Sequence, residues 1–331
     1  MSKIDVKKID VFTVNPFSGN PAGVITAADG LSSDDMQRIA EVLNLAECAF
    51  VQTGGGSGSE FRVRFFTQST ELDLSSHALI ASCFGIIEEG RLPLKHGVTS
   101  VQFDTMIGGV PLDIHFDSDA EKGGAEGSGE GVQVACKDGT SGMLRRIMTH
   151  QKRDDIRVAD IPVATLAGIL GVDEHEIRGT GLPLEILTHG LKQLIIPIIH
   201  RDTLMNMKPD LIKLNLLNRK YDIQTNDIFT LEPVSDDASV YSRTFSPAIG
   251  LWEEVGSGSG CGSIGAYLVR HGVLNPGAII VEQGTDLDCL ARVHVEIDEI
   301  QGSHISLRIG GLAVTSIVQN VNFEEGSITI C

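Results

Sequence analysis

The chain has 331 residues, 26 Lys and Arg against 44 Asp and Glu, a formal net charge of −18, and 42% hydrophobic against 21% charged residues. That composition excludes a wholly disordered chain, and at about 100–200 residues per domain the length implies two domains, each able to bury a core. So acidic a surface repels phosphate backbones and anionic lipid, which argues against nucleic acid or membrane as a partner and means that an anionic substrate needs a local source of attraction.

The opening MSKIDVKKIDVFTV lacks the apolar stretch and cleavage site of a secretory signal, and no apolar run is long enough to span a bilayer, so a cytoplasmic location is expected. KIDVFTV reads as a strand, NPFSGNPAG as a turn, and Val24 to Thr26 as a second apolar run. LSSDDMQRIAEVLN predicts a helix, with Ser32 and Asp35 as a capping box and Met36, Ile39, Ala40 and Leu43 on one face. AECAFVQT and FRVRFFT, separated by GGGSGS, predict strands. HALIASCFGIIEE predicts a second helix, stopping at Gly90. DSDAEKGGAEGSGEG has almost nothing to bury and reads as a loop or insertion where the chain leaves one domain for another. Six cysteines, Cys48, Cys83, Cys136, Cys261, Cys289 and Cys331, show neither C-x-x-C spacing nor a ligand pattern with the histidines, so reduced thiols and no metal are expected.

An internal repeat links the two halves. Arg64, Phe66 and Thr67 recur 179 residues on as Arg243, Phe245 and Ser246, and Phe50 recurs as Phe229. Beyond the next turn the offset is 182, placing Gly90 on Gly272 and Leu92 on Leu274. Related by a pseudo-twofold, the small-residue turns LSSHA and GSGSGCGS would face each other across a cleft. Each would offer unpaired backbone N–H groups and about half a positive charge at a helix start, an anion site inside an acidic protein.

At an offset of 179, Glu47 falls on Asn226, so a carboxylate stands in one half only, as a general base would. Ala46, Cys48, Ala49 and Phe50 flank it, which predicts poor solvation; the plain alternative is an edge-strand Glu facing water. His77 follows Ser75 and Ser76 at the start of its helix, where it could relay or donate a proton, or simply follow a Ser75 or Ser76 cap. Glu254, 179 residues after Ser75, takes the corresponding entrance of the second helix. Trp252, the sole tryptophan, either walls the cleft or fills a core.

Several segments, in order along nearly the whole chain, resemble the phenazine-biosynthesis isomerase-like (PhzF) family of the diaminopimelate epimerase fold. DVFTVNPFSGNPAGVI is similar to that family's opening, NLAECAFV to its Glu segment and RFFTQSTELDLSSHALIA to its strand, turn and Gly-His helix start. GLWEEVGSGSGCGSIGAYL is similar to its Glu-Asp-Pro-x-Thr-Gly-Ser turn, and IGGLAV to its closing strand. The resemblance implies an α+β protein of two pseudo-symmetric epimerase-like domains, each a mostly antiparallel curved sheet wrapped around a central helix. The expected boundaries are 1–118 for the N-terminal half, completed by a strand in 321–331; 119–143 for the linker or insertion; and 144–320 for the C-terminal half.

It further implies a cofactor-independent isomerase or epimerase acting on a small carboxylate-bearing metabolite. Glu47, His77 and Glu254 would be catalytic, Gly258 and Ser259 would bind substrate through backbone N–H groups, and Asn20, Ser75 and Ser76 would line the site. Homodimers are common in that family, which makes a homodimer the expected assembly. The chain departs from the family pattern at Ser76, where the family has Gly, at Glu254 for Asp and at Val255 for Pro; the Arg-Pro-Ser segment after Gln283-Gly284 is replaced by LARVHVEI. Racemases of this fold use two opposed thiols, and with Ser75 and Glu254 taken to hold those positions a two-thiol mechanism is not available.

Two other readings stay open. A binder that keeps the cleft without the chemistry fits the departures at Ser76, Glu254 and Val255. A dinucleotide-dependent oxidoreductase fits Gly260, Gly262 and Gly265 as G-x-G-x-x-G with Glu282 about 20 residues on, although LWEEVGSGS is too polar and small for the buried parallel strand that must precede such glycines.

Overall fold

The predicted first helix forms from Ser33 to Leu43, and its N-terminal capping is the predicted one. Ser32 accepts from the Asp35 backbone N–H, the Asp35 carboxylate accepts from the Ser32 N–H, and Asn44 ends the helix at a φ of 52°. In this computed structural model the described residues are 2–54, 59–119, 130–136, 138–153, 155–285, 289–302, 304–324 and 327–330. Residues 55–58 of the predicted GGGSGS spacer, 120–129 of the predicted insertion, and Cys331 lie outside them.

The elements in order are β1 (Ser2–Val11), β2 (Asn20–Ile25), α1 (Ser33–Leu43), β3 (Cys48–Thr53), β4 (Phe61–Phe66), β5 (Glu71–Leu72), α2 (Ser76–Glu88), β6 (Gly97–Thr105), β7 (Gly108–Ser118), β8 (Val132–Ala135), β9 (Ser141–Arg153) and β10 (Asp155–Val158). There follow α3 (Val163–Leu170), α4 (Glu174–Arg178), β11 (Glu185–His189), β12 (Leu191–Pro197), α5 (Arg201–Asn206), α6 (Leu211–Tyr221), β13 (Thr225–Thr230), β14 (Val240–Ser246), a 3₁₀ turn (Pro247–Ile249), β15 (Leu251–Glu254), α7 (Gly258–Arg270), β16 (Ala278–Gln283), β17 (Ala291–Gln301), β18 (His304–Gly311), β19 (Ala313–Glu324) and β20 (Ser327–Ile330).

The chain divides into two compact units, one of residues 1–149 with 310–331, the other of residues 150–309. In the first, β19 lies antiparallel to β1 and β1 antiparallel to β2. β2 and β3 are parallel, joined through α1; β3 and β4 are antiparallel; β4 and β6 are parallel, joined through α2. The second unit repeats this order: β12 and β13 parallel, β13 and β14 antiparallel, β14 and β16 parallel. The fold is therefore α+β, with mostly antiparallel sheets and one central helix to each unit.

Both central helices have 13 residues and are apolar or small on every side. Ala78 to Ile87 of α2 are all buried, as are Gly260 to Val269 of α7, which is what a helix without a polar face requires. Gly265 lets α7 lie close on β17, where an added Cβ would come within 2.8 Å of Val295 Cγ1. Gly260, Gly262 and Gly265 are thus buried inside a helix, behind a four-residue antiparallel strand, and Glu282 is engaged by Arg292 and by the Val234 and Ser235 backbone N–H groups. No dinucleotide-binding turn is formed there.

The repeat is real but its register differs from the sequence reading. Phe50 stands opposite Arg64 in the β3–β4 ladder, and it is Ile228, not Phe229, that stands opposite Arg243. The offset on β3 is therefore 178, and Phe229 turns to the other face, where its ring packs edge-on to Tyr267 of α7 at 5.8 Å. The counterpart of Glu47 is consequently Thr225 rather than Asn226. The three added residues lie in the 3₁₀ turn ahead of β15, so the helix caps Ser75 and Ser257 correspond, and Glu254 matches Leu72 instead of Ser75.

Each unit also repeats an arginine clamp. Arg64 lies over the Phe66 ring and donates from Nε and Nη2 to the two carboxylate oxygens of Glu71, at 2.6 and 2.7 Å. Arg243 lies over Phe245 and holds Glu253 in the same way, at 2.8 and 3.0 Å, while its Nη1 donates to the Leu204 and Met207 carbonyls. These bidentate pairs tie the strand before each central helix to the hairpin that leads into it. Arg243→Ala, which orphans carbonyls around a nearly buried cation, should lower unfolding free energy by about 3–5 kcal/mol in a urea titration, and Arg64→Ala, at a wetter pair, by clearly less.

Candidate active site

Because the central helices are buried along their length, their polar character is concentrated at the N-terminal ends. At α2 the Ser75 hydroxyl accepts from the Ala78 N–H at 3.3 Å and the helix begins at Ser76. His77 is held one residue further on, its Nδ1 3.4 Å from Ser75 Oγ and 3.6 Å from Glu47 Oε2. Glu47 comes from the turn entering β3, an interior strand of the sheet and not an edge, and its backbone carbonyl accepts from the Gly23 N–H of β2 at 3.1 Å. The side chains of His77 and Glu47 are 12% and 20% exposed. Glu47 Oε2 and His77 Nε2 are both buried atoms without a hydrogen-bond partner. Asn20 opens β2 opposite Val11, at the same end of the strand pair as Glu47.

The start of α7 is built on the same plan and furnished differently. The Ser257 hydroxyl accepts from the Gly260 N–H, again at 3.3 Å, and Gly258 is the first helical residue. Ser259 occupies the place of His77; its hydroxyl is 3.4 Å from Gln193 Nε2 and 3.5 Å from Ser257 Oγ. Glu254, on β15, accepts from the Ser246 hydroxyl at 2.6 Å, and its backbone carbonyl accepts from Gln283 Nε2. Trp252 is largely exposed on the same short strand, so it fills no core.

Beneath this second helix start lies a buried polar network absent from the sequence reading. Asp227 is fully buried. Its Oδ1 accepts from Thr244 Oγ1 at 2.8 Å, and its Oδ2 from Thr225 Oγ1 at 3.1 Å and Gln193 Nε2 at 3.4 Å. Ser263 donates to Gln193 Oε1, while Gln283 Oε1 accepts from the Ser257 N–H and the Cys261 thiol. A Cβ added at Gly260 would collide with Asp227 Oδ1. In the first unit the corresponding residues are Ala49 and Ala78, so the second unit has a carboxylate under a glycine where the first has two small apolar residues. The one sequence signal was the run of polar residues in TNDIFT, every one of which is buried in β13.

Burial disfavours the thiolate at the cysteines of β3, α2 and α7. Burial, with the Glu47 charge beside it, pushes Cys48 up to about 12, and burial alone pushes Cys83 up. Cys261 is raised by burial and then by Asp227. Ser75 corresponds to Ser257, not to Glu254, and neither helix cap is a thiol.

A family model described as phenazine biosynthesis-like protein matches residues 9–319. An uncharacterized isomerase of Bacillus subtilis, YfhB, is 28% identical over 325 residues, covering 96% of this chain and 98% of that protein. A trans-2,3-dihydro-3-hydroxyanthranilate isomerase of Pseudomonas aeruginosa is 26% identical over 296 residues, 88% of this chain and 89% of its own. Among solved structures, a PhzF-family phenazine biosynthesis protein from Bacillus anthracis superposes with a TM-score of 0.81 at 25% identity, covering 98% of this chain and 100% of that one.

Two outcomes check the site's construction. Gly260→Ala and Asp227→Ala should each destabilise the protein, and combining them, which recreates the Ala49–Ala78 arrangement, should be less damaging than their sum by about 1–2 kcal/mol in a double-mutant cycle. At pH 8 a small alkylating reagent should label Cys289, which is part-exposed, well before Cys48, Cys83 or Cys261, as read by mass spectrometry of the native protein.

Proposed function

The chain belongs to the phenazine biosynthesis-like family and is an isomerase; we propose that it moves a proton on a small carboxylate-bearing metabolite without a cofactor, with Glu47 as the acid–base group. Glu47 takes a proton from a carbon made acidic by a neighbouring carbonyl, carboxylate or conjugated double bond. It becomes a carboxylic acid as the electron pair delocalises into that neighbour, and then returns the proton at another carbon or on the other face. No redox change occurs, and the carboxylate is regenerated.

The observation that carries this reading is the pair of unpartnered buried atoms, Glu47 Oε2 and His77 Nε2. A desolvated acceptor without a donor costs about 1–3 kcal/mol, and a fold retains such a group where a substrate or transition state completes it. His77, beside Glu47, passes the proton on or steadies the developing charge. Glu254 is a second carboxylate for the reaction. The backbone N–H groups at Gly258 and Ser259 and the helix start at Ser75 and Ser76 offer donors to a substrate carboxylate, and Asn20 supports the same end of the strands as Glu47.

The test uses trans-2,3-dihydro-3-hydroxyanthranilate, the substrate in the name of the Pseudomonas aeruginosa relative, in deuterated water with NMR detection of label entering at carbon. Glu47→Gln should lower exchange about 100- to 10,000-fold while leaving the thermal midpoint within a few degrees; His77→Asn should lower it by less. Exchange by Glu47→Gln within a few-fold of wild type would remove the assigned base. Protection of the protein by this compound with no exchange in the wild type would leave a binding protein.

A further inference from the structure

The connection between β1 and β2 holds its backbone in a strained conformation at an exposed aromatic residue. Among the described residues four that are not glycine have positive φ. Asn44 and Asp222 are ordinary helix C-caps. The other two are Phe12, at 66°, and Phe17, at 67°. A left-handed backbone is costly for a bulky side chain.

Phe12 is buried and its N–H donates to the Leu312 carbonyl at 2.7 Å, so packing accounts for it. Phe17 is 67% exposed. It is nevertheless held firmly: its N–H donates at 2.7 Å to Oδ2 of Asp10, a carboxylate only 1% exposed. Around it Asn15 N–H donates to Thr13 Oγ1 and Ser18 N–H to the Asn15 carbonyl. A fixed, strained backbone thus presents a largely exposed aromatic ring to water, with Lys8 Nζ over it, 5.7 Å from the ring centre. Strain of this kind, kept in place by a buried charge, marks a position where the ring is used.

Topology says where. Val11 and Asn20 close the β1–β2 pair, and β2 runs parallel to β3, whose entry carries Glu47. The far end of α2 is tied to the opposite ends of these strands, through Lys7 to Glu88 and Thr26 to Glu89. The start of α2, with His77, therefore lies toward residues 12–19, and the Phe17 loop, Asn20, Glu47 and His77 share one end of the first unit's sheet.

We propose that Phe17 is the specificity-determining wall of the Glu47–His77 site, an apolar face against which the ring or carbon chain of a carboxylate substrate packs, with Asp10 as the residue that positions it. The proposal rests on Glu47 and His77 being the reacting pair. The exposed part of the ring gains hydrophobic stabilisation only when an apolar ligand face covers it.

The experiment titrates the full-length protein with benzoate and, separately, with acetate, the same charge without the ring, by NMR. Wild type should bind benzoate at least about 10-fold more tightly than acetate, and Phe17→Gly should weaken benzoate about 10-fold while changing acetate less than about 2-fold. Phe17→Leu should keep most of the benzoate affinity. Phe17→Gly should also raise the thermal midpoint by about 2 °C, because glycine adopts this φ without strain. An aromatic packed only for stability would give the opposite sign. Benzoate affinity indifferent to Phe17, no preference for benzoate over acetate, or an unchanged or lower midpoint for Phe17→Gly would each overturn the proposal. Failure of the isomerase reading looks different: exchange unaffected by Glu47→Gln, with benzoate binding still dependent on Phe17.

Discussion

The constraint on which the rest of the structure depends is the complete burial of one helix in each unit. α2 and α7 have no polar side to show to water, so their backbone groups are satisfied internally everywhere except at the ends. Serine caps close the N-terminal ends at Ser75 and Ser257 in matching geometry, and arginine clamps fix the hairpins that feed them. What remains at each start is a short stretch of ordered N–H groups with a fixed dipole, set where a sheet's strands begin or end. An acidic chain of net charge −18 has few other places to receive an anion.

On this duplicated frame the two units have diverged at corresponding positions. Where the first has Glu47, the second has Thr225, whose hydroxyl serves a neighbouring buried carboxylate. His77 is answered by Ser259, and Ala49 and Ala78 by Asp227 and Gly260. The clamps, caps and strand order are shared because they hold the helices. The groups at the starts are free to differ because the fold does not need them to be alike.

The sequence made local features legible and left non-local ones hidden. The Ser32–Asp35 capping box, the apolar periodicity of α1 and the unbroken apolar run of α2 depend on neighbours in the chain, and all were readable. So was the existence of a repeat, from Arg64-Phe66 and Arg243-Phe245. Its register was not. Strand position alternates between faces with a period of two, so taking Phe229 for Phe50 displaced the pairing by one residue and assigned Glu47 the wrong counterpart. The extra turn before β15 displaced Glu254 in the same manner. Asp227 escaped notice because its donors, Thr225, Gln193 and Thr244, come from three strands, and the clamps because Arg–Glu pairing across a turn carries no local signature. A left-handed Phe17 is likewise invisible in letters, since the tripeptide around it reads only as a turn.

The carboxylates Glu47 and Asp227 lie near corresponding helix starts in contrasting surroundings. Asp227 lies under a helix start with hydroxyl and amide donors on both oxygens, all fixed by strands of the sheet. A carboxylate so fully engaged is part of the scaffold, holding donors from three strands beneath the helix start. Glu47 has a buried oxygen with no donor and a histidine 3.6 Å away. Burial thus leaves Asp227 fully engaged and Glu47 with one oxygen open to a further partner, as the proposed acid–base role requires, and the exchange of glutamate for threonine leaves the second unit with no carboxylate at that position.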